Sequence, residues 1–312
     1  MADGLDVLAI GEPLMEFAEV DRNGKRLFLP GFGGDTSNVA VAAARSGAKA
    51  GYFTRLGADR FGQDFLDLWD REGVDRSTVI SAGGERTAAY FITYGPDGHE
   101  FSYARAGSAA SRMTPADLPL GRIAGAKVLY ASGISQAISP DAADTVFAAM
   151  RAAREAGRTV CYDTNLRLAL WPLDRARAVI HAAAAMCDIL RPGLDDARRL
   201  TGLDEPDAIL DRYLTMGPTI VAMTLGRDGT LVATPEGRRL VPTRKVDAKD
   251  ASGAGDTFGG AFLAEWLRTG DPFGAAHYAN AAAALKTLGI GAVAPMPTRD
   301  AVERFMRTGA VA

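Results

Sequence analysis

The stretch from residue 250 to residue 258 reads Asp250-Ala251-Ser252-Gly253-Ala254-Gly255-Asp256-Thr257-Phe258 and leads into an apolar helical pattern. Small residues at a helix start let the backbone come close to a ligand. The free N–H groups of the first turn, together with the helix dipole, then favour an anion. This pattern predicts a phosphate cradle formed by three residues, Gly253, Ala254 and Gly255.

Asp256 stands inside this cradle, where its carboxylate would repel a resting phosphate. A carboxylate at that place suits a catalytic base that acts on a hydroxyl beside the phosphate. Taken alone, the motif also fits an ordinary glycine-rich helix start with an acidic first turn. The helix N-terminus is expected to lower the pKa of Asp256 and weaken it as a base. A loose transition state needs little early deprotonation, so a weak base suffices.

The composition limits the classes of function. The chain has 312 residues, of which 47% are hydrophobic, with a net charge of −3 and a pI of about 5.7. The absence of a strongly basic stretch argues against nucleic acid as a partner. No apolar run is long enough to span a membrane, and no secretory signal pattern is visible. With two cysteines in apolar stretches, Cys161 and Cys187, we expect a reduced, cytoplasmic protein.

Strand and helix patterns alternate along most of the chain. Buried strands are predicted at residues 7–10, 128–131, 160–163, 189–191 and 220–224. Helices are predicted between them at residues 37–46, 60–72, 141–155, 175–185 and 207–216. Such alternation indicates a doubly wound α/β fold with a mostly parallel sheet, in which ligands bind beyond the carboxyl ends of the strands.

Two hairpin patterns interrupt this alternation. Residues 86–94 and 100–103 flank a Gly-Pro-Asp-Gly turn, and residues 15–20 and 26–29 flank another turn signal. We interpret them as a small antiparallel β lid, formed by about residues 12–35 and 86–106, on one domain spanning residues 1–312. A lid would exclude water from phosphoryl transfer. A sheet extension without that role is the alternative.

Several polar motifs fall at predicted strand ends or helix starts. Asp35 and Asn38 follow glycines and suit hydrogen bonds to a polyol, and Asp35 or Ser37 is also a candidate N-cap. Residues 224–229 follow a strand and suit a nucleotide, although Gly-x-x-Gly is also an ordinary turn. Asn165 and Arg167 lie in the segment after another strand, and residues 103–105 leave the lid hairpin.

Taken together, these motifs resemble the ribokinase-like, or PfkB, family of sugar kinases over essentially the whole chain. The stretches that carry the resemblance are Gly33-Gly34 with Asn38, and Asp250 to Asp256. The resemblance implies that Asp256 is the catalytic base and that Gly253, Ala254 and Gly255 form the anion hole. It further implies nucleotide contacts from Thr224, Gly226, Gly229 and Asn280, and sugar contacts from Gly33, Gly34, Asp35, Asn38, Tyr90, Tyr103, Arg105, Ile134, Asn165 and Arg167.

Within the family, four passages are similar to the kinases of 2-keto-3-deoxygluconate: residues 11–16, 31–36, 129–135 and 163–171. This similarity implies ATP and Mg²⁺ as cofactors, with K⁺ as a further candidate, and a homo-oligomer as a candidate assembly. Asp196 is a candidate Mg²⁺ residue, and Asp250 and Ser252 match the monovalent-cation positions of some relatives. Gly193 stands where many members carry Asn, and Asp196 stands where they carry Glu.

Two other functions stay open at this point. The first is a neutral-sugar kinase of the fructokinase or ribokinase type. Such a substrate has no carboxylate for Arg105 and Arg167 to bind, although guanidinium groups bind carboxylates in a bidentate way. An inactive sugar-binding regulator on the same fold is disfavoured by the intact cradle and Asp256. The sequence therefore predicts ATP-dependent phosphorylation of a sugar acid, with the 6-hydroxyl of 2-keto-3-deoxygluconate as the acceptor.

Overall fold

The computed structural model describes residues 4–95 and 98–309. Its strands are β1 (Val7–Ile10), β2 (Leu14–Arg22), β3 (Lys25–Gly33), β4 (Ala50–Phe53), β5 (Arg55–Gly57), β6 (Ile80–Ala82), β7 (Ala88–Gly95), β8 (Gly98–Ala104), β9 (Val128–Ser132), β10 (Thr159–Asp163), β11 (Ile189–Arg191), β12 (Ile220–Thr224), β13 (Thr230–Thr234) and β14 (Gly237–Val241). Its helices are α1 (Asp35–Arg45), α2 (Arg60–Glu72), α3 (Leu120–Gly125), α4 (Gly133–Ala137), α5 (Pro140–Glu155), α6 (Leu173–Ala184), α7 (Leu194–Thr201), α8 (Pro206–Leu214), α9 (Ala254–Thr269), α10 (Pro272–Lys286) and α11 (Arg299–Thr308).

The main sheet has eight strands in the order β14-β13-β12-β11-β10-β9-β1-β4. The strands from β12 to β4 run parallel, and β13 and β14 are antiparallel to their neighbours. Alternate residues of β1 enter two different apolar clusters, one on each face of the sheet. The predicted doubly wound α/β class is thereby confirmed, and the carboxyl ends of the parallel strands share one edge.

Side-chain capping is present at the N-termini of α2 and α5 but absent at α1. Asp59 caps α2 through a hydrogen bond from the Gly62 N–H, and Ser139 caps α5 in the same way. The candidate N-cap role of Asp35 or Ser37 is wrong, because α1 is capped by Gly34 without any side-chain bond. The carboxylate of Asp35 is therefore left for other partners.

Both predicted hairpins form, and together they make a second sheet in the order β3-β2-β7-β8. Each hairpin is antiparallel, but the inner strands β2 and β7 pair in parallel, starting from Leu14 opposite Ala88. The turn residues 96–97 lie outside the described part of the chain. Cys161 and Cys187 are buried free thiols, as expected. Among the helices described, none has the length and apolar character needed to cross a membrane.

Helices α1 and α9 pack very closely, and this contact positions the site described below. Gly260 on α9 faces the α1 backbone, where an added Cβ would lie 2.4 Å from the Val39 carbonyl oxygen and 2.6 Å from the Ala42 Cβ. Only glycine allows this approach without moving a helix. A Cβ added at the neighbouring Gly259 would collide with the Arg191 guanidinium. Both glycines are therefore required by side-chain and helix packing, not by backbone flexibility.

Gly260→Ala is expected to lower the free energy of unfolding by about 1–3 kcal/mol, because the added methyl group overpacks the α1–α9 contact. Urea unfolding followed by circular dichroism measures this change. The matched control is Gly121→Ala, on the exposed side of α3, where an added Cβ meets nothing within 4 Å. Equal stability of the Gly260→Ala variant and the wild type would contradict the packing account.

Candidate active site

The N-terminus of α9 lies in the stretch that the sequence predicts as a phosphate cradle. Gly253 precedes the helix in a left-handed conformation, with φ of 70°. Gly253 also lies against Ala292, because a Cβ added at Gly253 would come within 2.9 Å of the Ala292 side chain. At Gly255 an added Cβ would meet nothing within 4 Å, so the backbone is open to a ligand there. The Ala254 N–H, predicted as part of the cradle, donates to the Ala251 carbonyl over 3.1 Å. The N–H groups left to favour a phosphoryl group, together with the helix dipole, are those of Gly253 and Gly255.

Two cavities meet at this turn. The first, of about 600 Å³, lies between the small sheet and the carboxyl edge of the main sheet and contains Asp256. The second, of about 680 Å³, lies on the other side of the loop. Thr224, Ala251 and Gly255 line both cavities. Two ligands bound in them would therefore face each other across the cradle.

Asp256 is held at this junction by α1. Its Oδ2 accepts a hydrogen bond of 2.8 Å from the Asn38 side-chain amide, 218 residues earlier in the chain. Burial, and after it the nearby Asp35 carboxylate, raise the pKa of Asp256 to about 7, against the opposing effects of Asn38 and Arg191. The expectation that the helix N-terminus lowers this pKa is wrong, because burial and like charge outweigh the dipole.

The first cavity contains polar atoms without a protein partner. The Asn165 side-chain amide donates to Asp35 Oδ2 over 2.8 Å, whereas the buried Asp35 Oδ1 has no hydrogen-bond partner among the described residues. The buried Asn38 Oδ1 is likewise unpartnered within that part of the chain. Buried polar atoms are normally satisfied, so these two acceptors fit ligand hydroxyl groups. Asn165 has a φ of 28°, which is unusual for a residue other than glycine.

The two arginines predicted at the sugar differ in their surroundings. Arg105 forms an ion pair with Glu12, which is almost fully buried and is also bonded by the Ser108 hydroxyl. Arg167 is exposed in the same cavity and forms no ion pair in the described structure; its Nη1 donates to the Leu166 carbonyl over 2.8 Å. The guanidinium that is free for a ligand anion is therefore that of Arg167.

Three further predicted sugar residues, Tyr90, Tyr103 and Ile134, line the first cavity together with Gly34. The Tyr90 hydroxyl donates to Glu16. The Tyr90 ring lies against Gly33, where an added Cβ would come within 2.7 Å of the ring. Gly33 is not among the residues lining the cavity. Its contribution is to leave room for the Tyr90 ring, which does face the cavity.

The four predicted nucleotide residues, Thr224, Gly226, Gly229 and Asn280, all line the second cavity. The two glycines have φ of 60° and 105° in the turn after β12, conformations that favour glycine. The Asn280 amide already donates to the Val241 carbonyl and accepts from the Thr230 hydroxyl. Asn280 thus links β13 to β14 in the wall of the second cavity, which it also lines.

The predicted metal residues fall in two places. Asp196 and Ser252 line the first cavity, and burial raises the pKa of Asp196 even though its Oδ2 accepts from the Leu166 N–H. Asp250 is not in the lining; its carboxylate accepts from the N–H groups of Ser252 and Gly291. In residues 4–95 and 98–309, no cluster of three or more acidic, histidine or cysteine side chains suits a metal. This fits Mg²⁺ held mainly by phosphates and water, near Asp196.

Sequence reasoning missed Arg191 as a site residue. Arg191 is 3% exposed, and its guanidinium lies 3.1 Å from Asp163 Oδ2 and donates to the Gly255 carbonyl over 2.7 Å. It therefore connects the end of β11 to the cradle and lines the first cavity. The available signal was an arginine that ends an apolar strand at the ligand-binding edge. Glu12, Asp163 and Lys286 were also left out of the predicted site.

Comparison with known proteins agrees with this geometry. Residues 6–299 match the family model described as pfkB family carbohydrate kinase. The chain is 32% identical to a 2-dehydro-3-deoxygluconokinase of Bacillus subtilis (strain 168) over 97% of this chain and 95% of that protein. It is 33% identical to Fructokinase-1 of Oryza sativa subsp. japonica, over 97% and 98% of the two chains. The chain belongs to the pfkB family of carbohydrate kinases.

Solved structures show the same fold. A PfkB protein from Polaromonas sp. JS666 is 30% identical, with a TM-score of 0.87 over 96% of this chain and 99% of that one. A fructokinase double mutant from Vibrio cholerae O395 is 26% identical, with a TM-score of 0.86 over 98% and 99% of the two chains. That fructokinase was solved with fructose, ADP and a potassium ion.

Asp256→Asn is expected to stabilise the protein at pH 8 and to leave its stability unchanged at pH 4. The folded-state pKa of about 7 lies above the unfolded value of 3.8, so ionised Asp256 opposes folding above pH 7. That cost, up to about 4 kcal/mol, disappears as the pH falls through 7 towards 4. Urea unfolding of variant and wild type at both pH values measures the difference.

The control for this experiment is Asp195→Asn, because the Asp195 side chain is 93% exposed. This variant is expected to match the wild type at both pH values. A stabilisation of Asp256→Asn that is the same at pH 4 and pH 8 would show that the raised pKa is not its cause.

Proposed function

We propose that this kinase transfers the γ-phosphoryl group of ATP to the 6-hydroxyl of 2-keto-3-deoxygluconate. The observation that carries the proposal is the guanidinium of Arg167, which has no ion pair in the described structure and lies in the cavity that contains Asp256. A free guanidinium binds a carboxylate through charge-assisted hydrogen bonds. The similarity to the 2-dehydro-3-deoxygluconokinase of Bacillus subtilis supports the same substrate.

Asp256 would take the proton of the acceptor hydroxyl. Asn38 holds one of its carboxylate oxygens at 2.8 Å, which leaves the other for the sugar. A pKa of about 7 suits a general base at neutral pH, since a base works best when its pKa lies near the operating pH. The raised pKa removes the objection that a carboxylate at a helix N-terminus is too weak a base.

The backbone N–H groups of Gly253 and Gly255 would stabilise charge on the transferring phosphoryl group, and that of Ala254 would join them on leaving the Ala251 carbonyl. Arg191 fixes this turn by its bond to the Gly255 carbonyl. Mg²⁺, when bound with the nucleotide near Asp196, would neutralise phosphate charge. These roles require the nucleotide to bind in the second cavity and the sugar in the first. The two cavities meet at Gly255.

The small sheet would act as a lid over the sugar. Tyr90, Phe101, Tyr103 and Arg105 reach the first cavity from β7, β8 and the segment after β8. An aromatic cover excludes water, which otherwise competes with the sugar for the phosphoryl group. We therefore propose that the strands within about residues 12–35 and 86–106 close over the bound sugar.

A neutral-sugar kinase is the second candidate. Fructokinase-1 of Oryza sativa is as similar to this chain as the 2-dehydro-3-deoxygluconokinase is. The pairing of Arg105 with Glu12 also favours it, since that ion pair leaves a site with one free guanidinium instead of two. An inactive regulator is disfavoured by the half-buried Asp256 carboxylate, whose raised pKa reflects a cost of ionisation and which forms no ion pair within 4.0 Å among the described residues.

Asp256→Asn is expected to fold and to bind ATP but to lose at least about 10²–10⁴-fold in kcat, because the general base is removed. Coupled ADP release with a panel of sugars and sugar acids measures kcat, and calorimetry measures ATP binding. Asp195→Asn, an exposed acidic residue on α7, serves as the control and should keep normal kcat. Near-normal turnover of the Asp256 variant would exclude it as the base.

Arg167→Ala is expected to lower kcat/KM for 2-keto-3-deoxygluconate by about 10- to 150-fold, since a charge-assisted hydrogen bond contributes roughly 1.5–3 kcal/mol. The effect on fructose should be far smaller, because fructose has no carboxylate. Steady-state kinetics on both substrates measure the difference.

The matched control is Arg151→Ala, on the exposed face of α5, which should change neither constant. An equal loss on acid and neutral sugar would assign Arg167 a structural or nucleotide role. A wild type that prefers fructose to the acid would favour the neutral-sugar kinase.

A further inference from the structure

Lys286 is the last residue of α10, and its side chain is fully buried. Its ammonium group donates a 2.9 Å hydrogen bond to the Asp250 carbonyl oxygen. The same nitrogen lies 3.9 Å from Asp250 Oδ2. A buried ammonium is costly unless oxygen atoms surround it, so this contact is a specific structural feature of the loop before the cradle.

The loop that Lys286 contacts sets the position of the cradle. Asp250 Oδ1 accepts from the Ser252 N–H and Oδ2 accepts from the Gly291 N–H, each over 2.8 Å. Three residues after Asp250 the chain turns at Gly253 into α9. A cation held against Asp250 therefore fixes the loop whose amides face the phosphoryl group.

A second carboxylate faces the same ammonium from the small sheet. Glu16 on β2 is 3% exposed and accepts a hydrogen bond from Tyr90. Its Oε1 lies 3.6 Å from the Cβ position of Gly291, the residue that binds Asp250. Burial lowers the pKa of Lys286, while Asp250 and Glu16 oppose that shift and favour the ammonium form. Without a positive charge here, the buried Glu16 carboxylate and the half-buried Asp250 carboxylate would repel each other.

The family resemblance implies a monovalent cation at Asp250 and Ser252, and the residues present do not fit one. The Asp250 carbonyl oxygen is bonded to Lys286, and its carboxylate oxygens accept from two N–H groups. A further cation beside a buried ammonium would be repelled. We propose that the Lys286 ammonium serves as a built-in monovalent cation that positions the cradle, so that this enzyme works without K⁺.

The first test uses the wild type, and it rests on the proposed kinase activity. Initial rates are measured with saturating ATP, Mg²⁺ and sugar acid, in KCl and in choline chloride at equal ionic strength. Less than a twofold difference is expected. A stimulation of fivefold or more by K⁺ would overturn the proposal, because it would show that an external cation is still required.

The second test replaces the ammonium. Lys286→Ser is expected to lose at least about tenfold in kcat in choline chloride and to regain most of it in KCl or NH₄Cl, since the vacated space next to Asp250 admits an ion. Lys286→Met fills that space without charge and should lose activity that neither salt restores. A Lys286→Ser variant that is fully active in choline, or that no cation rescues, would contradict the proposal.

A third measurement separates this proposal from the kinase proposal. The Kd of Mg-ADP is measured by calorimetry for the wild type and both variants in each salt, which needs no sugar substrate. K⁺ should tighten ADP binding about tenfold for Lys286→Ser and leave the wild type unchanged. If no sugar is phosphorylated, this result still decides the role of Lys286. An ADP affinity that is independent of K⁺ in Lys286→Ser would overturn it.

Discussion

The hydrogen bond from Asn38 to Asp256 is the contact on which the rest of the site depends. It joins α1, at the start of the chain, to α9, near its end, and it exists because Gly260 lets the two helices touch. Asp256 lies half-buried at this junction, where burial and the nearby Asp35 carboxylate raise its pKa. The position of Asp256 relative to α1 thus follows from one helix–helix contact.

Much of this fold could be predicted from the sequence, because its patterns are local. Apolar runs of four or five residues set the buried strands, and α2 begins and ends where its amphipathic pattern does. The two hairpins were predicted from turn residues. The site could be located because parallel strands end at one edge, which is where Asn165, Arg167 and Thr224 fall.

The rest depends on contacts between distant parts of the chain. The pKa of Asp256 is governed by burial and by Asp35, neither of which a helix start reveals. The partner of Arg105 is Glu12, 93 residues away, so the sequence predicted two free arginines where the structure has one. Arg191 looked like the end of a strand, and Lys286 like the polar end of an alanine-rich helix. Both are buried charges whose partners only the fold supplies.

Gly34 is the single residue between β3 and α1, and it holds a left-handed conformation with φ of 95°. An added Cβ there would lie 2.4 Å from the Glu12 carbonyl oxygen, so no other residue fits without strain. The strand that belongs to the small sheet is therefore joined almost directly to the turn that carries Asp35 and Asn38. A shift of this hairpin would therefore also displace Asn38, which holds the Asp256 carboxylate, and Asp35, which raises its pKa. The small sheet and the start of α9 are mechanically coupled through a single residue.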